Sequence, residues 1–302
     1  MPQGQESRCD YVLGMVELGL WHAHRLGTAG GRARRPLRDV LSRHVDLYRL
    51  TTLWDGVRDV ASGHRDGRWD EIVATLDGLA HGHPTEVFVA HAAELLTPLL
   101  SFASEATPAD AIGCWSGVLV GRGIADSHRA PHAGRQLVRI ARAVRRRLGI
   151  GTPPGDLELH FHNAAAPRSP FATPGALAAD LARLVTRVRT AHPGVHTVWC
   201  NTWLNDCERF LALFPPEWRA SGVVRTPADV DRDSRGRARL NTRNWWGQFE
   251  RADGTFHRAH AASFRATGGV FPHPCRLCRA PIGAVEEHLT RLARHWREEA
   301  RP

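Results

Sequence analysis

Residues 157–200 read LELHFHNAAAPRSPFATPGALAADLARLVTRVRTAHPGVHTVWC. This stretch decides the fold. "LELHFH" (157–162) alternates apolar and polar residues, the period of a strand with one covered face. Thr173-Pro174 opens a helix, since proline fits the first helical turn, and the residues after it carry apolar side chains at helical spacing. Pro193-Gly194 ends that helix, and "VHTVWC" (195–200) reads as the next strand. A strand–helix–strand order favours two parallel neighbouring strands joined by a right-handed crossover.

Downstream, "DCERFLALF" (206–214) predicts a short helix stopped by Pro215-Pro216. "NWWGQFE" (244–250) reads as a further strand and "ADG" (252–254) as a turn, followed by helices over about 255–266 and 283–298. The segment 229–243 is polar and reads as a surface loop.

Upstream the pattern is helical. Residues 11–26 are apolar on more than one side, as in a buried helix, and 27–36 form a glycine-rich loop. Further helical patterns cover 37–62, 69–80 and 84–104. Thr107-Pro108-Ala109-Asp110 resembles a capped helix start, with the helix running to about Ala125, and another helix spans 135–149. "GIGTPPGD" (149–156) marks the change of style. The expected organisation is a disordered tail (1–10), a helical domain (11–150) and an α/β domain (151–302), an α+β or α/β protein whose small mixed sheet has flanking helices.

Composition removes several functions. All 40 basic residues of the 302-residue chain are arginine. Without lysine there is no standard Walker NTPase, no Schiff-base or pyridoxal-phosphate chemistry and no standard protein kinase. Arginine, alanine, glycine and proline are abundant while isoleucine and tyrosine are scarce, which points to a GC-rich, bacterial genome. The net charge of +9 is then weaker support for nucleic acid than it looks, and nucleic acid is not the expected partner. The arginine-rich segment 135–149 reads as an amphipathic helix with a solvated face, or as a surface for an anion. No apolar run is long enough to span a membrane, and the N-terminus lacks a secretory core, so the expected location is cytoplasmic and the six cysteines are expected to be thiols or metal ligands.

Ligands of open α/β sheets collect outside the carboxyl ends of parallel strands. Here those ends are polar. The first carries His160, His162 and Asn163, and the second Cys200, Asn201, Trp203, Asn205 and Asp206. Two imidazoles, a thiol and carboxamides on one rim suit a general base, a nucleophile and substrate-orienting groups. Packing, backbone satisfaction and helix capping are the structural alternatives for each of them. Trp245 and Trp246, if in a strand, face opposite ways, so one lines a pocket or both pack at a domain contact.

"FPHPCRLCR" (271–279) places Cys275 and Cys278 after His273. The nearest second pair of metal-ligating residues is His257 and His260. The spacing allows a structural turn, part of a zinc or iron site, or a redox pair.

The order "LELHFHN", helix, "HPGVHTVWCNTWLND", "LFPPEWRASGVVR" resembles the C-terminal half of GNAT-like acyltransferases that carry a helical N-terminal domain. The shared elements lie within about 157–225: Leu159-His160, Cys200-x-Thr202-Trp203-Leu204 and Leu213-Phe214-Pro215-Pro216. The resemblance implies acyl transfer from acyl-CoA to an amine or hydroxyl of a small molecule, with His160 or His162 as base. The chain departs from the family where a glycine-rich turn would cradle the coenzyme A pyrophosphate. It offers Arg168 and a helix start near Gly175 instead. A metal-dependent enzyme using the His/Cys cluster, and a non-catalytic binding module using the arginine-rich helix, are the alternative readings.

Overall fold

The strand–helix–strand unit forms as its alternation requires. The computed structural model describes residues 3–28, 37–54, 66–102, 118–120, 156–161, 169–224 and 243–299. The helices are α1 (Gln3–Thr28), α2 (Leu37–Arg43), α3 (Val45–Arg49), α4 (Gly67–Ala80), α5 (Thr85–Leu96), α6 (Pro174–Ala191), α7 (Arg258–Ala266) and α8 (Ile282–Glu299). The strands are β1 (Val118–Val120), β2 (Asp156–Phe161), β3 (Thr197–Thr202), β4 (Val223–Val224) and β5 (Arg276–Pro281). Short turns of helix at Glu208–Leu211, Pro216–Ala220 and Arg243–Trp246 connect them. The chain divides into two compact units. The first holds Met1–Ser104 with Arg237–Pro272, and the second holds Glu105–Asp229 with His273–Pro302. In this division the chain crosses between the units more than once.

In the first unit α1 is wrapped rather than one-sided. Val12, Val16, Leu18, Leu20 and Ala23 are all buried, which is why its sequence is apolar around much of the helix. The helix takes in most of the stretch read as a tail, and Asp10 is tied down there. Its carboxylate accepts the Phe256 N–H at 2.8 Å and pairs with Arg258. Gly14 is needed for close approach, because a Cβ there would stand 2.4 Å from the Phe256 ring. Residues 244–250 are not a strand. Arg243–Trp246 is a helical turn, followed by a 3-10 turn at Gly247–Phe249. Both Trp245 and Trp246 are buried, and the Trp246 ring meets His22, His44, Phe249, Phe264 and Phe271. Tertiary burial of two adjacent indoles overrides their β-propensity. The turn at 252–254 is present, with Gly254 at φ +79° inside a bridge between Glu250 and Phe256.

The second unit is a mixed sheet in the order β1-β2-β3-β5-β4. β2 and β3 are parallel neighbours, as expected, and the remaining pairs are antiparallel. Leu157, Leu159, Val198, Cys200, Cys278 and Ala280 turn one face toward α6 and α8, which bury Leu181, Val185, Val285 and Leu289 against it. Two expectations are corrected. Val118–Val120, read as helix, pairs with β2; the rest of the 107–125 and 135–149 helices lies outside the described residues. The stretch 271–279, read as a turn or half a metal site, supplies β5, which lies between β3 and β4. Its buried residues are the small Cys278 and Ala280, alternating with the exposed Arg279 and Pro281, so its alternation carries little hydrophobic signal.

Candidate active site

The carboxyl end of β3 leads straight into a 3-10 turn, Trp203–Asp206. Thr202 opens it by accepting the Leu204 N–H on its hydroxyl at 3.3 Å. Asn205 locks it. Its Nδ2 donates to the carbonyls of Cys200 (3.0 Å) and Arg276 (2.8 Å), and its Oδ1 accepts the Trp218 indole N–H at 2.8 Å. One buried carboxamide therefore joins the end of β3 to the start of β5. Asn205, expected to orient a substrate, is only 1% exposed and uses both polar atoms inside the protein.

That lock presents Asp206 to the start of β5. Asp206 Oδ1 accepts the Arg276 Nε–H at 2.9 Å, and Asp206 Oδ2 lies 3.2 Å from His273 Nδ1. All three side chains are partly open to solvent, at 26% for Asp206, 30% for His273 and 35% for Arg276. The half-exposed Trp203 ring stands 5.8 Å from the His273 ring at an angle of 32°. A carboxylate bonded to Nδ1 sets the imidazole tautomer and leaves Nε2 as the acceptor, the arrangement of a positioned general base. Arg276 holds the other carboxylate oxygen and so fixes the pair from the opposite side.

The structure sorts the remaining sequence-predicted residues. Cys200 is buried, and burial pushes its thiol well above the usual range. Cys275 is pushed up to about 12 and Cys278 to about 11 by the same cause. None of the three is a thiolate at neutral pH, so Cys200 has no nucleophile's environment. Asn201 is half-buried, and its Oδ1 has no hydrogen-bond partner among the described residues. His160 is described only by its backbone, which pairs with Leu119, while His162, Asn163 and Arg168 lie outside the described residues. Trp245 and Trp246 are core residues of the first unit.

The candidate metal ligands divide between the two units. His257 and His260 belong to the first unit, where their rings stack 3.6 Å apart. His257 Nδ1 caps α7 by accepting the His260 N–H at 3.3 Å, and His260 Nδ1 lies 2.8 Å from the Gln248 carbonyl oxygen. His273, Cys275 and Cys278 belong to the second unit. Among the described residues no group of three or more His, Cys, Asp or Glu side chains is placed to hold a metal ion. At the start of α6, Gly175 packs so closely on Trp296 that a Cβ there would lie 2.8 Å from it.

At the carboxyl end of β3, the strand end that the sequence singles out, the described side-chain contacts join Asp206, His273 and Arg276. Asp206 reads as a helix cap and His273 as a metal ligand, and Arg276 draws no notice. Their common signal is a polar pair at the end of β3 and a histidine held between Pro272 and Pro274. Among the described residues no helix is long and apolar enough to cross a membrane. Compared with protein-family models, curated proteins and solved structures, the chain matches none.

Proposed function

We propose that the second unit is an acyltransferase-like enzyme acting on an amine or hydroxyl of a small molecule, with His273 as general base and Asp206 and Arg276 as its positioning residues. The observation that carries this reading is the Asp206–His273 contact of 3.2 Å, backed by Arg276 at 2.9 Å, at the carboxyl end of β3. In the transfer, the acceptor nitrogen or oxygen attacks the carbonyl of an acyl thioester. The acceptor's proton passes to His273 Nε2. A C–N or C–O bond forms, the C–S bond breaks, and the proton goes on to the departing thiolate. Asp206 steadies the imidazolium that exists between those two transfers. Trp203 lies against the ring of the base and supplies an apolar wall for the acceptor.

Release of free thiol from a panel of acyl thioesters, offered with primary amines and alcohols, tests the reading. His273→Ala is expected to lower turnover by about 10²–10⁴-fold, the usual contribution of a positioned base. Wild-type turnover that persists in His273→Ala overturns the assignment of the base. No turnover with any pair in the panel overturns the acyl-transfer reading.

A further inference from the structure

The connection between α4 and α5 carries two histidines that belong to the first unit and are independent of the Asp206–His273 pair. It reads His81-Gly82-His83-Pro84. Gly82 makes the turn at φ +84°, and Pro84 leads into α5. Two features fix the rotation of α5. Phe88, Ala92 and Leu96 are buried along one face, and Thr85 Oγ1 lies 3.0 Å from His24 Nδ1 of α1. The other side exposes Val87 and His91, one turn apart, and His83 is exposed just ahead of the helix. Side chains on a helix tilt toward its N-terminus, so His91 tilts back toward His83. The two ring centres stand 5.8 Å apart with their planes at 88°.

Other histidines of this unit spend their nitrogens on the backbone. His81 Nδ1 lies 2.7 Å from the Asp77 carbonyl oxygen, and His257 and His260 each use Nδ1 on a backbone group. For His83 and His91 the mutual ring contact is the one interaction among the described residues. Neither ring makes a hydrogen bond or ion pair with them, so the nitrogens face water. Spacing decides what two such imidazoles can do together. Two imidazoles bound to one zinc ion at about 2.0–2.1 Å per nitrogen hold their ring centres roughly 5–6 Å apart. The observed 5.8 Å meets that span, so only side-chain rotation is needed to aim one nitrogen of each ring at a shared ion.

We propose that His83 and His91 chelate a divalent transition-metal ion of the zinc, nickel or copper class on the surface of the first unit. Neutral imidazole suits these metals, whereas magnesium and calcium take oxygen ligands. Among the described residues no third His, Cys, Asp or Glu side chain joins the pair, so water completes the coordination. With two protein ligands and open positions, the site exchanges its metal with solvent and differs from a closed structural zinc site.

Carbethoxylation of the full chain by diethyl pyrocarbonate, read histidine by histidine by tandem mass spectrometry along a zinc chloride titration, tests this. Zinc is expected to protect His83 and His91 with one shared midpoint, and magnesium chloride to protect neither. In His83→Ala the midpoint for His91 is expected to rise at least about tenfold, since even outer-shell partners of metal ligands are worth that much, and His91→Ala does the same to His83. Both positions are exposed, and circular dichroism checks that the variants keep the wild-type fold. His273→Ala is expected to leave the midpoint unchanged, so this test and the acyl-transfer test fail separately. Absence of protection at submillimolar zinc overturns the proposal. So does protection of His91 that keeps its midpoint in His83→Ala, and so does equal protection by magnesium.

Discussion

Two histidines in this chain face opposite surroundings. His22, in the first unit, lies among the rings of Trp246, Phe264 and Phe271, with centroids 5.1–6.4 Å from its own. Burial alone lowers its pKa to about 4. His273, in the second unit, is partly open and bonded to a carboxylate that an arginine also holds. The same side chain is thus a packing element in one place and a proton-handling candidate in the other. Desolvation without a partner keeps an imidazole neutral and inert, whereas a carboxylate on Nδ1 orients one for chemistry. Residue type does not assign a role in this protein; the neighbours do.

The sharpest way to break the comparison is to empty the aromatic box. Trp246→Ala is expected to destabilise the first unit by about 3–5 kcal/mol, the usual penalty for deleting a buried aromatic. Chemical denaturation followed by circular dichroism checks this, and a loss below 1 kcal/mol means that the box is not packed as described.

Next in size is the acid sensitivity set by His22. Its folded pKa of about 4 lies below the ordinary 6.5. Between those values the unfolded chain takes up a proton that the folded chain refuses. Stability is therefore complete above pH 6.5 and falls as pH drops toward 4, by about 3 kcal/mol for this group. His24 is shifted in the same direction by its own burial. His22→Phe is expected to flatten the slope of unfolding free energy against pH in this window, and an unchanged slope contradicts the account.

A comparable effect is expected in the second unit from Asn205→Ala. It removes three hydrogen bonds and strands the Trp218 indole N–H, for about 2–3 kcal/mol. Because the same residue sets Asp206 against β5, the variant is expected to lose activity at temperatures where it remains folded. The smallest effect is chemical. Cys200, Cys275 and Cys278 are expected to resist iodoacetamide at pH 8 in the folded protein and to react in urea, as read by peptide mass spectrometry. Rapid alkylation of any of the three in the native state contradicts their placement in the core.

The legible part of the fold was the part with strong periodicity. β2, α6, β3 and α8 follow from alternation and helical spacing, because each buries one apolar face on a single core. β5 was hidden because its core side chains are a thiol and a methyl, and because prolines on either side suggest a turn. The two tryptophans at 245 and 246 misled in the other direction, since bulky aromatics favour strands until a helical core claims them. At the candidate site, the carboxyl end of β3 could be read from topology. The partner at His273 could not, because 67 positions separate it from Asp206 and only the antiparallel return of β5 brings them together.

The measurement that bears most directly on the central claim is acyl-thioester turnover by the wild type, His273→Ala and His22→Phe, assayed side by side at pH 7.5 under conditions where all three are folded. His273→Ala is expected to lose about 10²–10⁴-fold and His22→Phe to stay within about twofold of the wild type. Equal losses in both variants, or none in His273→Ala, contradict the assignment of chemistry to the Asp206–His273 pair.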